Sequence, residues 1–423
     1  MKAITFLGAG TAYDTAYCME DGREQTAPYF GAALPHFFPN LSLRVLVTPE
    51  ARSAHLDRFV QLAEPHVADL EAIDIAGGRT EMEMWQIFET VIDAVDDGEQ
   101  VIFDITHGFR SLPFLSFLAA AYLRVIKNVA LVAVLYGNYE ARDQSAKPHR
   151  APVIDLTPFV GLLDWMVAAD RFIRFGDAHD LAERLRQSKP DYRLQQEDSE
   201  ARQLAILLSG TATAMDRVSS ALRLIRPAEA MLASEDLQTQ LVDATQGIQR
   251  QARPFHPLSQ RVVDEYAPLA LPESVLNVDL PSVLARERTM VHWYLQRRQY
   301  VQTVAVAREW IVTWIMAHLG YADQYDRNVR GQTENTIGLI LQHRKGKHMD
   351  EPLPLDLAAV PQLQQAVDLY GDLGDVRNDI LHAGKRRGAA SAGSLEKRID
   401  KLCRRLNELR LPARKGMQGP NAP

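Results

Sequence analysis

A chain of 423 residues, 46% hydrophobic and 24% charged, is long enough for two or three packed domains and has the balance of an ordinary globular protein. Its net charge of -7 argues against a protein that coats nucleic acid unselectively; its two cysteines, Cys18 and Cys403, exclude a disulfide framework or cysteine-rich metal cluster and fit a reducing, cytoplasmic setting. No signal peptide or membrane span is expected, because the apolar runs are short or broken by charges such as Arg124, Lys127, Arg308 and Glu309.

The chain opens with Lys2-Ala-Ile-Thr-Phe-Leu7, a run suited to a buried strand, which passes directly into Gly8-Ala-Gly-Thr-Ala-Tyr13. Two glycines at a first strand's exit indicate a close backbone turn. The pattern begins like a dinucleotide fingerprint, but Tyr13 stands at the third glycine position and no helical periodicity follows at once, so a nicotinamide site is disfavoured. Residues 14–40 form an insertion with an Asp21-Gly22 hairpin turn, and insertions of this kind often cover a ligand. A second strand is expected over 43–48, a helix over 53–65 and a third strand over 72–76. Gly77-Gly-Arg-Thr80 is another glycine-bearing strand exit, with Thr80 as helix cap; Met82, Trp85, Phe88, Val91 and Ile92 follow at helical spacing and read as core.

Asp104-Ile-Thr-His-Gly-Phe-Arg-Ser-Leu-Pro113 organises this half. It follows the apolar Val101-Ile-Phe103 and precedes the long apolar segment 114–125, the signature of a strand-to-helix turn. Gly108 lets the backbone turn, Ser111 is a candidate cap and Pro113 suits a first helical turn. Such a turn aims free N–H groups at the sheet edge; with His107 and Arg110 adding donors, it reads as an anion cradle, phosphate being the favoured anion. The alternative is structural, with His107 and Arg110 satisfied inside the fold. Strands over 129–136 and 153–156 complete an α/β unit whose glycine-bearing exits lie where open parallel sheets bind ligands.

Beyond 156 the periodicity becomes helical, with long amphipathic stretches over 159–174, 198–223 and 300–319 and proline-rich breaks at 253–257, 267–272 and 351–354. From Arg377 to Lys415 twelve Lys and Arg stand against four Asp and Glu, a local excess of +8. That is either a polyanion footprint or a solvated amphipathic helix with a basic tail. His343 and His348, in Gln-His-Arg-Lys-Gly-Lys-His, read as a solvated basic loop.

Within 369–384 lies Arg377-Asn-Asp-Ile-Leu-His382, followed by a helix stop at Ala383-Gly384. Arg and His five residues apart sit about 140° around a helix, so they do not stack but can both line a groove. The spacing alone is cheap: Arg174-Phe-Gly-Asp-Ala-His179 repeats it, and a helix-end histidine beside a surface arginine would explain either occurrence.

In context, the Arg-Asn-x-x-x-His segment in an all-helical C-terminal region resembles a HEPN ribonuclease motif, and the sheet with its Asp-x-Thr-His-Gly-x-Arg loop resembles a CARF domain. Together they resemble the CARF–HEPN effectors of type III CRISPR systems. The resemblance implies an α/β plus all-α chain: a Rossmann-like parallel-sheet CARF domain over 1–156, a helical connector over 157–282 that matches less clearly, a HEPN-like domain over 283–410 and a disordered tail over 411–423. It implies a cyclic oligoadenylate bound across a CARF dimer as allosteric activator, no cofactor or metal, a single-stranded RNA substrate and a homodimer or higher even oligomer. The implied ligand contacts are Gly8, Gly10, Thr11, Tyr13, Thr106, His107, Gly108 and Arg110; the implied catalytic residues are Arg377 and His382, with Asn378 in support.

The residue types suit that chemistry. Metal-independent RNA cleavage needs a proton carrier for the attacking 2′-hydroxyl and a cation beside the crowded phosphate oxygens, which a histidine and an arginine supply. One such pair is a sparse site, and facing copies across a two-fold axis would double it. The competing reading is a non-catalytic sensor or RNA- or protein-interaction module, which can also degrade its own ligand, since an activator ring carries 2′-hydroxyls. A Rossmann-type nucleotide enzyme ranks third.

Overall fold

The structure, a computed structural model, describes residues 1–108, 111–345, 353–355, 357–385 and 387–413. The chain forms two compact units, Met1–Asp164 and Trp165–Pro423.

The first unit is built on eight strands: β1 (Lys2–Leu7), β2 (Thr15–Cys18), β3 (Glu24–Ala27), β4 (Ser42–Val47), β5 (Asp69–Asp74), β6 (Gln100–Asp104), β7 (Ala130–Gly137) and β8 (His149–Asp155). Their order is β3-β2-β8-β7-β6-β1-β4-β5. The run from β7 to β5 is parallel, as the sequence leads one to expect. β8 lies antiparallel to β7, and the hairpin of β2 and β3 extends the sheet beyond it with β2 parallel to β8, so the sheet as a whole is mixed.

β1 is buried along its whole length, which its continuous apolar run requires. Ala3 and Leu7 join the core with helices α1 (Phe30–Phe37) and α2 (Asp57–Ala63), while Ile4 and Phe6 join the core with α3 (Glu81–Asp93) and α4 (Leu112–Ile126). Alternate residues of one central strand thus serve two helical layers. β5 starts three residues earlier than its apolar run suggests; as an edge strand it tolerates Asp69, Glu71 and Asp74, whose exposed charges also discourage further pairing.

Several local expectations change. The Asp21-Gly22 turn is present, with Gly22 at a φ of +87°, but the insertion also holds the unforeseen α1, whose apolar FGAALPHF run is almost wholly buried. Helical structure before α2 starts at Pro49, because the Thr48 hydroxyl accepts the Ala51 N–H at 3.3 Å. Thr80 caps α3 as read, through the Glu83 N–H at 3.2 Å. Ser111 makes no capping bond: its backbone is already helical, at φ -81° and ψ -24°, whereas a capping side chain needs an extended backbone. On α3, Ile87 and Val91 are buried, whereas Met82 and Trp85, read as core, are 72% and 58% exposed.

The second unit contains no β-strand among its described residues. The helix α5 (Thr157–Phe175) carries the boundary between the units. Its principal successors are α6 (Ser199–Arg223), α7 (Pro227–Asp243), α8 (Leu280–Gln296), α9 (Tyr300–His318), α10 (Arg327–Arg344), α11 (Leu363–Leu381) and α12 (Ala392–Glu408). The central α9 packs against α8, α10, α11 and α12. Its Trp310 and Trp314 are fully buried, and their indole N–H groups donate to the carbonyls of Leu284 at 2.8 Å and Arg410 at 2.7 Å, so these large rings leave no polar atom unsatisfied. No helix among the described residues is long and apolar enough to cross a membrane.

Candidate functional site

The parallel strands β1, β4, β5 and β6 end at one edge, and a cleft of about 520 Å³ opens there. Its lining combines main chain from Gly8, Gly10, Gly77 and Gly108 with the side chains of Thr48, Arg79 and His107. Gly8 is dictated by packing, because a Cβ at this position would lie 2.4 Å from the His107 carbonyl oxygen. The exits of β1 and β6 therefore touch main chain to main chain, an approach only glycine permits. At Gly10 a Cβ would meet nothing within 4 Å.

The β6 exit is anchored within the fold by residues of the motif itself, Asp104, Thr106 and His107, the structural alternative offered for His107. Asp104 is wholly buried; it accepts the Thr5 hydroxyl at 2.6 Å and the Thr106 N–H at 2.8 Å. Burial pushes its carboxyl above the usual range, opposed by His107 and these hydrogen bonds. The Thr106 hydroxyl accepts the Gly137 N–H at 2.9 Å, tying the exits of β6 and β7 together. His107 Nε2 accepts the Phe30 N–H at 3.1 Å, with the Tyr17 hydroxyl 3.4 Å away. The imidazole is therefore neutral, with its proton on Nδ1. Burial lowers its pKa, Asp104 partly restores it and His55 lowers it further.

That shift has a consequence for stability. A folded-state pKa below the unfolded one contributes stability that is present above the ordinary histidine pKa and lost as pH falls through the folded value. The urea midpoint is expected to fall between pH 7.5 and pH 5.5 in the wild type and to fall less in His107→Gln, which keeps an acceptor but cannot titrate. Asp104 contributes with the opposite sign, and because His107 also acts on its carboxyl, the difference between the two proteins reports the His107–Asp104 pair. Equal pH dependence in both would refute the role given to the imidazole.

Of the other residues read as ligand contacts, Gly8, Gly10, His107 and Gly108 line the cleft. Thr106 is engaged by the sheet, Thr11 is exposed, Tyr13 stacks on Tyr139, and Arg110 lies outside the described residues. Arg79 is the contributor the sequence reading passed over. It is 76% exposed and paired with Glu50 at 3.2 Å across the mouth; its signal was the Gly77-Gly-Arg-Thr80 exit, read then only for its turn and cap. A second groove, between α3 and α4, is walled by Met84, Trp85, Phe88, Leu115, Leu118 and Tyr122, with Glu81 as its one ionisable carboxylate, and offers an anion no donor of the kind found in the cleft.

In the helical unit, α11 brings Arg377, Asn378 and His382 to its C-terminal end, all exposed. The helix stops because Ala383 and Gly384 adopt φ values of +52° and +67°, with the Gly384 N–H donating to the Asp379 carbonyl at 3.1 Å and the Ala383 N–H to the Ile380 carbonyl at 2.9 Å. His382 is the C-cap itself. The buried Asp379 accepts the Ala390 N–H at 3.4 Å and draws the following turn back under the helix. No side-chain hydrogen bond or ion pair engages Arg377, Asn378 or His382 among the described residues. The similarly spaced pair differs: Arg174 is bonded to Asp170 at 2.8 Å, and the His179 N–H donates to Asp177 at 3.3 Å.

The basic C-terminal stretch divides by face. On α12, Arg405 pairs with Asp372 at 2.5 Å, and Arg398 reaches Asp372 at 3.5 Å and Asp375 at 3.7 Å. Lys397, Lys401 and Arg404, at positions that share another face of the helix, are exposed and make no ion pair among the described residues. Part of the +8 excess is thus neutralised by α11 and part is free for an anionic partner. His343 is at the end of α10; His348 and most of the tail, 414–423, lie outside the described residues.

Comparison with known proteins gives a match for residues 161–268 to the family model of the second domain of CRISPR-associated protein MJ1674. The CRISPR-associated protein MJ1674 of Methanocaldococcus jannaschii is 28% identical over 128 residues, which cover 29% of this chain and 20% of that protein. The chain thus spans about a fifth of the length of the curated relative it matches. Among solved structures, Enterococcus italicus Csm6 bound to cyclic hexa-2′-fluoro-hexa-dAMP superimposes over 96% of this chain and 92% of its own, with 10% identity and a TM-score of 0.38. A likeness that loose leaves the architecture to be argued from this chain's own sheet and helices. Over residues 161–268 the chain is thus similar to the second domain of a CRISPR-associated protein.

Proposed function

We propose that this chain, a relative of the CRISPR-associated protein MJ1674, is a CARF–HEPN effector: the first unit senses cyclic oligoadenylate, and the second cleaves single-stranded RNA without a metal ion. The observation that carries the sensing half is the cleft at the strand exits, where glycine main chain, His107 and Arg79 converge. Its size falls within the range of about 300–1,000 Å³ typical of small-ligand sites, and its backbone-rich rim suits phosphates, which accept N–H groups and a guanidinium. His107 acts there mainly as a brace, because its Nε2 is already given to Phe30.

For the cleaving half, the support is the exposed, unpaired trio at the end of α11. His382 carries the proton between the attacking 2′-oxygen and the leaving 5′-oxygen, Arg377 offsets charge on the phosphorane oxygens, and Asn378 orients the phosphate. Two copies facing across a two-fold axis supply a base and an acid from separate chains. The free face of α12 offers cations to the flanking phosphates.

The test is labelled RNA incubated with the purified protein and cyclic tri-, tetra- or hexa-adenylate in chelator. Ring-dependent cleavage is expected, and none with any ring would reject the proposal. Arg79→Ala, at the cleft, and Arg110→Ala, read from the sequence as an anion contact, are each expected to weaken ring binding about tenfold by calorimetry, since each would remove a charge-assisted phosphate contact. Unchanged affinity in both variants would place the ligand elsewhere. Binding of a ring without any cleavage would favour the alternative, a sensor whose helical unit only assembles.

A further inference from the structure

The exit of β7 carries a feature that the anion cradle does not use. Tyr139, in the turn after β7, stacks nearly parallel to Tyr13 from the exit of β1, with ring centroids 5.8 Å apart and planes inclined by 5°. The Arg142 guanidinium stands 4.0 Å from the Tyr139 ring centroid while its Nη1 donates to the Tyr139 carbonyl at 2.9 Å. Arg142 Nε is buried without a hydrogen-bond partner, so the guanidinium is held there by the ring as much as by polar contacts.

The stack is fixed in place. Asn138 caps the turn through the Ala141 N–H at 3.1 Å, its own N–H donates to the Pro152 carbonyl at 2.9 Å, and Asp143 bridges to Arg150. It also shares the cleft's edge: β7, β6 and β1 are parallel, and the Gly137 N–H donates to Thr106 of the β6 exit. Tyr13 remains 54% exposed. An open aromatic surface, flat and stiffened by a cation, beside a phosphate-sized cradle combines the two parts a nucleotide needs.

We propose that Tyr13, Tyr139 and Arg142 form a nucleobase platform, on which an adenine of the ring stacks while the glycine-lined cleft holds its phosphates. The assignment rests on the nucleotide-sensing reading and extends the ligand site to the exit of β7. Stacking tolerates any base, so the platform supplies affinity, and selection among bases falls to other contacts.

Calorimetry with cyclic tri-, tetra- and hexa-adenylate, on full-length wild type, Tyr139→Ala and Tyr139→Phe, tests it. Tyr139→Ala is expected to weaken binding by tenfold or more, the loss of one stacked base, and Tyr139→Phe to bind like wild type. The adenine absorption band is expected to lose intensity on binding to wild type and Tyr139→Phe, and to change less with Tyr139→Ala; a merely structural tyrosine would not produce that signature. Wild-type affinity in Tyr139→Ala, with its fold intact by circular dichroism, would overturn the platform and leave the sensing reading standing. Equal losses in the phenylalanine and alanine variants would also overturn it, by assigning the effect to the hydroxyl. Failure of the wild type to bind any ring would overturn both.

Discussion

His382→Ala is expected to abolish ring-stimulated RNA cleavage while leaving ring affinity and melting temperature unchanged. A general acid or base in the transition state contributes about 10²–10⁴-fold, and an exposed side chain without hydrogen bonds carries little of the fold's stability. The C-cap position explains why the truncation is tolerated. Helix termination depends on the main chain of Asp379, Ile380, Ala383 and Gly384, none of which the substitution alters. Arg377→Ala should cost a similar factor, about 10²–10³ if it stabilises developing charge. His179→Ala is the control; its arginine neighbour is already bonded to Asp170, and it should cleave at the wild-type rate. Single-turnover cleavage in chelator measures all three, and undiminished cleavage by His382→Ala would reject the catalytic assignment outright.

The legible and illegible parts of this chain divide by the distance over which a residue acts. Strand and helix identity follow from periodicity within a dozen residues, so the parallel core, the Asp21-Gly22 turn and the Thr80 cap were readable. Glycine at position 8 was readable as a turn, but its cause, the carbonyl of His107 almost a hundred residues on, belongs to the packing of two exits. His107 was read as a donor at a strand-to-helix turn, with a structural role as the alternative; its partner is the N–H of Phe30, in a helix the sequence did not announce. Trp85 and Met82 looked like core because helical spacing records which residues share a face and not what covers that face. Arg79 was passed over for the same reason, since only the sheet order brings the β5 exit beside those of β1 and β6.

Gly8→Ala is expected to lower the melting temperature by several degrees and to weaken ring binding by more than tenfold, because the added methyl has nowhere to go. The methyl is fixed to the β1 exit, the group it meets is the main-chain carbonyl of His107, and both segments are pinned. β1 lies between parallel ladders to β4 and β6, while the His107 segment is held through Asp104 to Thr5, through Thr106 to Gly137 and through the imidazole to Phe30. Relief requires the two exits to part by about an ångström, a rearrangement of the overpacking kind that costs about 1–3 kcal/mol. The same movement displaces Gly8 and His107, which both line the cleft, so stability and binding should fall together. Gly10→Ala separates the two effects. A Cβ there meets nothing in the fold, so its melting temperature should match wild type, and any loss of ring affinity reports a ligand lying against that backbone. Thermal melts and calorimetry on the two variants decide the matter: a Gly8→Ala protein as stable as wild type would show that the exits of β1 and β6 do not touch as described.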